Sequence, residues 1–174
     1  MPHNRRPSQR AKPAYAAVAS VFSQRCTMCH SGSQPALDLS LGSYAQLTAG
    51  SQNGPVVIPG NPEGSELVRR IRGQSLPRMP FDGPPYLDAA EIALITEWIK
   101  RGAPDAIGIQ AAVPAGAKLR LGGRLSGKWA LDGLPLVLDG AKRSKKAAAV
   151  GAYVEVRGVV PSDGGIRATR IRPR

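Results

Sequence analysis

Metal-binding side chains are scarce in this sequence. Its 174 residues hold two cysteines, Cys26 and Cys29, two histidines, His3 and His30, and three methionines. A structural zinc site takes about four nitrogen or sulfur ligands, so zinc would need every cysteine and histidine of the chain, with the N-terminus folded back to bring in His3. A thioredoxin-like Cys-x-x-Cys pair opens a helix after a strand, and here the preceding segment from Tyr15 to Phe22 reads as helix. Long apolar runs are missing as well. Met1 to Ala19 contains no continuous hydrophobic stretch of the kind a secretory peptide or a membrane anchor needs. The Arg5-Arg6 pair, with no apolar run behind it, does not establish a twin-arginine signal. Acidic residues are few, 12 against 24 Lys and Arg, which leaves a net charge of +12.

What the chain does have is Cys26-Thr27-Met28-Cys29-His30. Cys-x-x-Cys-His is the spacing by which haem is attached covalently: each thiol adds to one vinyl group, and the adjoining imidazole reaches one axial face of the iron. A second axial ligand must come from a short inventory. Met1 is terminal and Met28 lies inside the attachment turn. Met79 is left, 49 residues beyond His30 in the numbering. It lies in Leu76-Pro77-Arg78-Met79-Pro80-Phe81-Asp82-Gly83-Pro84-Pro85, where fixed proline φ angles would hold the sulfur in place. A thioether opposite histidine raises the reduction potential and closes the position where oxygen or peroxide would bind. The alternative is a methionine filling a gap in the core.

Helical signals surround these residues. Tyr15, Val18 and Phe22 recur at three- and four-residue spacing after Pro13, so an amphipathic helix runs into the attachment motif. A second helix is expected near Ser65, with Glu66, Leu67, Val68 and Ile71 ahead of Gly73. A third starts at Asp88, which forms a capping-box pattern with Glu91; Leu87 can staple to Ile92, and Ile92, Ile95, Trp98 and Ile99 make an apolar face before Gly102. The run from Ser31 to Gly64, rich in Gly, Pro, Ser and Asn, reads as irregular. A bound haem supplies apolar surface that such a loop lacks.

Over roughly residues 14 to 105 the chain resembles the class I c-type cytochromes, and more closely the cytochrome c-like domains of planctomycete and related bacterial surface proteins. The resemblance rests on Phe22 ahead of the attachment motif, on Leu37-Asp38-Leu39, on the stretch from Gly54 to Ser65, on Arg78-Met79-Pro80, and on Glu91 to Gly102. It implies terminal helices packed across each other beside one covalently attached haem c. It also implies His30 and Met79 as axial ligands, and a backbone carbonyl from Pro55 or a neighbour accepting the His30 Nδ1–H, a bond that fixes the tautomer. Arg72, Arg78 and Trp98 are candidates to meet the haem propionates, against the plainer reading of solvated arginines and a core tryptophan.

Beyond Ala106 the composition changes. Ala111 to Ala117 reads as a linker, and alternating runs follow at Lys118 to Leu125, Lys128 to Leu131, Leu134 to Leu138, Tyr153 to Val160 and Ile166 to Ile171. Asp132-Gly133, Asp139-Gly140 and Asp163-Gly164-Gly165 supply turn chemistry. A small antiparallel barrel or sandwich is expected, with a weaker likeness to a bacterial OB-like domain. The fold class is therefore a mainly-α class I cytochrome c fold followed by a small all-β OB-like barrel. The boundaries are a disordered basic N-terminus over residues 1–12, a cytochrome domain over 13–106, a linker over 107–117 and the barrel over 118–174.

Residues 1–112 carry 11 Lys and Arg against 8 Asp and Glu, and residues 113–174 carry 13 against 4, so the positive charge sits mainly in the second part. An acidic redox partner, an anionic cell surface or a polyanion would suit it. Nucleic acid is disfavoured, since Trp129 and Tyr153 are the second part's only aromatics and stacking is how such barrels hold single strands. Lys142-Arg143-Ser144-Lys145-Lys146 is its densest cluster. The function expected is single-electron transfer by a monohaem carrier, not an enzyme, between a donor and an acceptor in the periplasm or otherwise outside the cytoplasm. A haem enzyme or gas sensor with a labile Met79, and a polyanion-binding module with an accessory cytochrome domain, stand as alternatives.

Overall fold

The computed structural model describes residues 14–143 and 148–174 of the chain, excepting the side chains of 139–143. Helix α1, Tyr15–Arg25, turns Val18, Val21 and Phe22 inward, the three- and four-residue spacing placing them on one stripe. It packs against α4, Ala89–Lys100, which buries Ile95, Trp98 and Ile99. Asp88 caps α4 by accepting the Glu91 N–H while the Glu91 side chain accepts the Asp88 N–H, a complete capping box. The crossing is pinned by aromatics. Tyr15 meets Tyr44 edge to face at 5.1 Å between centroids, Tyr15 lies 5.8 Å from Trp98, and the Trp98 indole donates to the Pro104 carbonyl at 2.8 Å.

The run from Ser31 to Gly64 is more ordered than its composition predicts. It holds a 3₁₀ turn, Ala36–Asp38, and a short helix α2, Tyr44–Ala49, whose N-cap Ser43 accepts the Gln46 N–H. Helix α3, Glu66–Ile71, follows where expected.

The second part is a six-stranded sheet: β1 Lys118–Gly127, β2 Ala130–Leu131, β3 Leu134–Pro135, β4 Val137–Arg143, β5 Tyr153–Val159 and β6 Arg167–Pro173, in the order β3-β2-β1-β5-β6-β4. Asp132 and Gly133 both take positive φ, as the tight β2–β3 turn requires. Asp139-Gly140, expected as a turn, instead falls inside β4, where the parallel register to β6 shifts between Leu138 and Lys142. The OB-like barrel is not formed as a closed barrel. Edge strands β3 and β4 are separated in sequence by Leu136 alone, so the sheet must curl to bring its edges together; Leu136 donates to the Trp129 carbonyl and Val137 to the Ile166 carbonyl. Among the described residues no ladder joins β3 to β4, and the sheet stays open.

Alternation along β1 and β5 sends Leu119, Leu121, Leu125, Val154 and Val156 to one face. Ile58, from the first part of the chain, completes that apolar core. The two parts are also joined by buried polar contacts centred on α3. Arg69, with no solvent exposure, donates to the Gly122 and Glu63 carbonyls and pairs with Asp132. The Asn61 amide donates to the Gly164 carbonyl at 2.9 Å, and Tyr153 OH accepts the Leu76 N–H at 2.8 Å. Side chains at Gly122 and Gly123 would collide with Tyr153, Ser75, Arg69 and Asp132, which is why this strand runs glycine-glycine at the join. Residues 1–13 and the positions of Lys145 and Lys146 lie outside the described residues, as do the side chains of Lys142 and Arg143.

Candidate functional site

Helix α1 ends at the attachment motif. The Cys26 and Thr27 N–H groups both donate to the Phe22 carbonyl, and the Cys29 and His30 N–H groups turn back to the Cys26 carbonyl. This tight turn holds two free thiols, Cys26 half-buried and Cys29 exposed. Burial pushes the Cys26 thiol up to about 11, against the pull of the neighbouring Arg25 and with a further push from Glu91.

His30 is anchored from its Nδ1 side, 3.2 Å from the Leu39 carbonyl. That acceptor comes from Leu39, not from Pro55 or its neighbours. The chain reaches it through Leu37 and Asp38, both at positive φ, and is held there by the Leu41 N–H donating to the His30 carbonyl. With Nδ1 donating to a carbonyl, Nε2 carries the lone pair available to a metal. Met79 is placed by its own N–H, which donates to the Arg70 carbonyl at 3.0 Å.

Cys26, Cys29, His30 and Met79 all line one cavity of about 860 Å³, within the range of sites that enclose an organic cofactor. Its wall is apolar: Phe22, Leu39, Leu41, Val56, Leu67, Ile71, Leu87 and Ile95. At one end the sheet takes over, with Arg120, Gly122, Tyr153, Glu155 and Arg174. Arg70 and Glu66 lie there too, Glu66 accepting from Arg70 at 2.7 Å and from Ser75. Burial pushes the Glu66 carboxyl above the ordinary carboxylate range even though Ser75 and Arg70 both pull it down.

The donor set suits haem c: paired free thiols one turn apart, an imidazole with its distal nitrogen oriented, a thioether, and an apolar hollow ending in cations. Residues 26–83, a third of the chain, match the family model described as Planctomycete cytochrome C. This region is cytochrome c-like. No curated protein and no solved structure matches the chain. The match takes in the attachment motif, the Leu39 turn, α3 and Met79, and it implies covalently bound haem c in the cytochrome c-like domain. Among the described residues no group of three His, Cys, Asp or Glu is gathered as a metal site. No described helix is long and apolar enough to cross a membrane.

The propionate candidates fall elsewhere. Trp98 is fully buried with its indole N–H taken by Pro104; Arg72 pairs with Glu63 at 2.6 Å; Arg78 stacks over the Tyr86 ring at 4.1 Å. None of the three lines the cavity. Four cations do: Arg25, which ends α1 beside the motif, and Arg70, Arg120 and Arg174, which escape sequence reasoning for two reasons. Arg70 sits on a short helix, and the other two sit on strands remote in sequence from the attachment motif. For Arg120 the faint signal was strand alternation, which sets it opposite in sense to Leu119 and Leu121.

Proposed function

We propose that the protein is a monohaem c-type cytochrome that passes single electrons between a donor and an acceptor outside the cytoplasm. The observation that carries this reading is the convergence of Cys26, Cys29, His30 and Met79 on one apolar cavity, with His30 oriented through Nδ1. Cys26 and Cys29 would hold the cofactor covalently, and His30 Nε2 and the Met79 sulfur would be the ligands offered to its iron. Haem c, when bound, supplies a one-electron change at iron. Phe22, Leu41, Leu67 and Ile95 exclude water from the hollow and so strengthen every electrostatic contact within it. Arg25, Arg70, Arg120 and Arg174 are the cations that line the cavity, Arg70 and Arg174 already paired with Glu66 and Glu155, and they would meet the carboxylates of the group. Exposed Cys29 and Met28 bring the attachment edge to the surface, where a partner can approach.

The test is attachment itself. Protein matured with a haem-ligation system should show, after denaturation, a mass raised by one haem and haem-linked peroxidase staining. Loss of the cofactor on acid–acetone extraction would refute covalent attachment.

A further inference from the structure

The face of β1, β5 and β6 turned away from the sheet's apolar core carries arginine in excess. Register places Arg120 opposite Arg157, and Arg157 opposite Arg170, a row of three guanidinium groups across β1, β5 and β6. The next row sets Gly122 opposite Glu155 and Glu155 opposite Arg172. Glu155 is the single acidic residue on these three strands. It is already engaged, accepting from Arg157 at 3.0 Å and from Arg174. Like charges directly opposite on a sheet destabilise it, so this face spends stability on positive charge that Glu155 offsets only in part.

We propose that this arginine face is the docking surface for an acidic electron-transfer protein. The inference rests on the haem reading above. Arg120 and Arg174 belong both to the face and to the lining of the cavity, so a partner seated on the arginines lies against the redox site. Its carboxylates would find rows of donors on strands about 4.8 Å apart, a geometry that favours paired guanidinium–carboxylate contacts. The Arg69 contacts hold these rows fixed relative to the cavity. Other anions fit less well. The one aromatic on the face, Tyr153, has its hydroxyl taken by Leu76, which leaves little for base stacking. None of the exposed large apolar side chains lies on β1, β5 or β6, so nothing there would enter a bilayer.

The test uses stopped-flow electron exchange of the haem-loaded protein with an acidic flavodoxin, one electron passing from reduced flavin to ferric iron. Arg170→Glu with Arg172→Glu should slow exchange about tenfold or more at low salt, with the neutral Arg170→Gln/Arg172→Gln pair between it and wild type. The difference should vanish near 1 M salt, where the Debye length is about 3 Å. Exchange with cationic hexaammineruthenium should not slow. An unaltered haem spectrum shows that the variants are folded. Equal flavodoxin rates for wild type and both variants at low salt would overturn the proposal. So would loss of binding to phosphatidylserine vesicles or single-stranded DNA in the variants while flavodoxin exchange stays unchanged. A wild type carrying no covalent haem would overturn the underlying reading and this one with it.

Discussion

Cys26 and Cys29 sit three positions apart, yet the fold gives them different chemistry. Burial holds the Cys26 thiol protonated at neutral pH, its value raised to about 11, and a thiol in that form is a slow nucleophile. In haem-free protein at neutral pH, iodoacetamide should therefore modify exposed Cys29 first, as peptide mass mapping would show. Cys26 labelling should climb about tenfold per pH unit toward pH 11. The sign for stability follows: the contribution is fully present below the ordinary thiol value of about 8.5 and is lost as pH rises toward the folded value. Equal labelling of both at neutral pH would contradict this account. On the haem reading proposed above, Met79 is the second ligand. Met79→Ala should remove the weak far-red sulfur-to-iron absorption of the ferric protein, lower the reduction potential and admit carbon monoxide; an unchanged spectrum would assign the sixth position to another group. These side chains were legible in the sequence because thiols, imidazole and thioether are rare and chemically distinct. The Leu39 carbonyl was not, because every residue carries a backbone acceptor and only the left-handed turn at Leu37 and Asp38 selects this one.

Elements that announce themselves do so through capping and periodicity. Helix α4 has both, and its start at Asp88 could be read directly, whereas α2 is six residues long with a single buried leucine, Leu47, too little pattern to stand out from a polar loop. Asp88→Ala should cost about 1 kcal/mol in chemical denaturation, with Asp88→Asn close to wild type, since either side chain can accept the Glu91 N–H. Curvature is the feature that strand alternation does not encode. Five alternating runs are as compatible with a closed barrel as with the open curled sheet observed, because closure depends on whether the last edges meet, which here turns on Leu136. Gly54 illustrates a different silence. It takes φ of 101°, and a Cβ there would run into the Lys118 carbonyl at the start of β1. Gly54→Ala should lower stability by more than about 2 kcal/mol, combining a left-handed penalty with a backbone clash. A thermal midpoint equal to wild type would show that the loop can move off β1 freely.

At the scale of the whole molecule, the question is whether helices and sheet behave as separate units or as one. Composition pointed to a linker over residues 107–117 and two halves that differ in charge. The contacts that bridge them, Ile58 in the sheet core, Asn61 on Gly164, Leu76 on Tyr153 and Arg69 at Gly122 and Asp132, were not legible because each pairs residues more than fifty positions apart. Arg69 is the decisive one. A buried guanidinium with its carboxylate removed, or the reverse, leaves an uncompensated charge that costs roughly 3–5 kcal/mol. Hydrogen exchange should accordingly find α4 and β5 opening with the same free energy in wild type, as one cooperative unit. Arg69→Ala takes the guanidinium from Asp132, which keeps only the Arg124 N–H, and from the Gly122 carbonyl, and should lower protection in β1 and β5 more than in α4, separating two transitions. Asp132→Asn, which keeps a polar acceptor for Arg69, should produce a smaller loss. Separate opening of α4 and β5 in wild type would refute the single unit, and coincident opening in Arg69→Ala would mean that Ile58 and the apolar contacts around it, and not the buried ion pair, hold the cavity against the sheet.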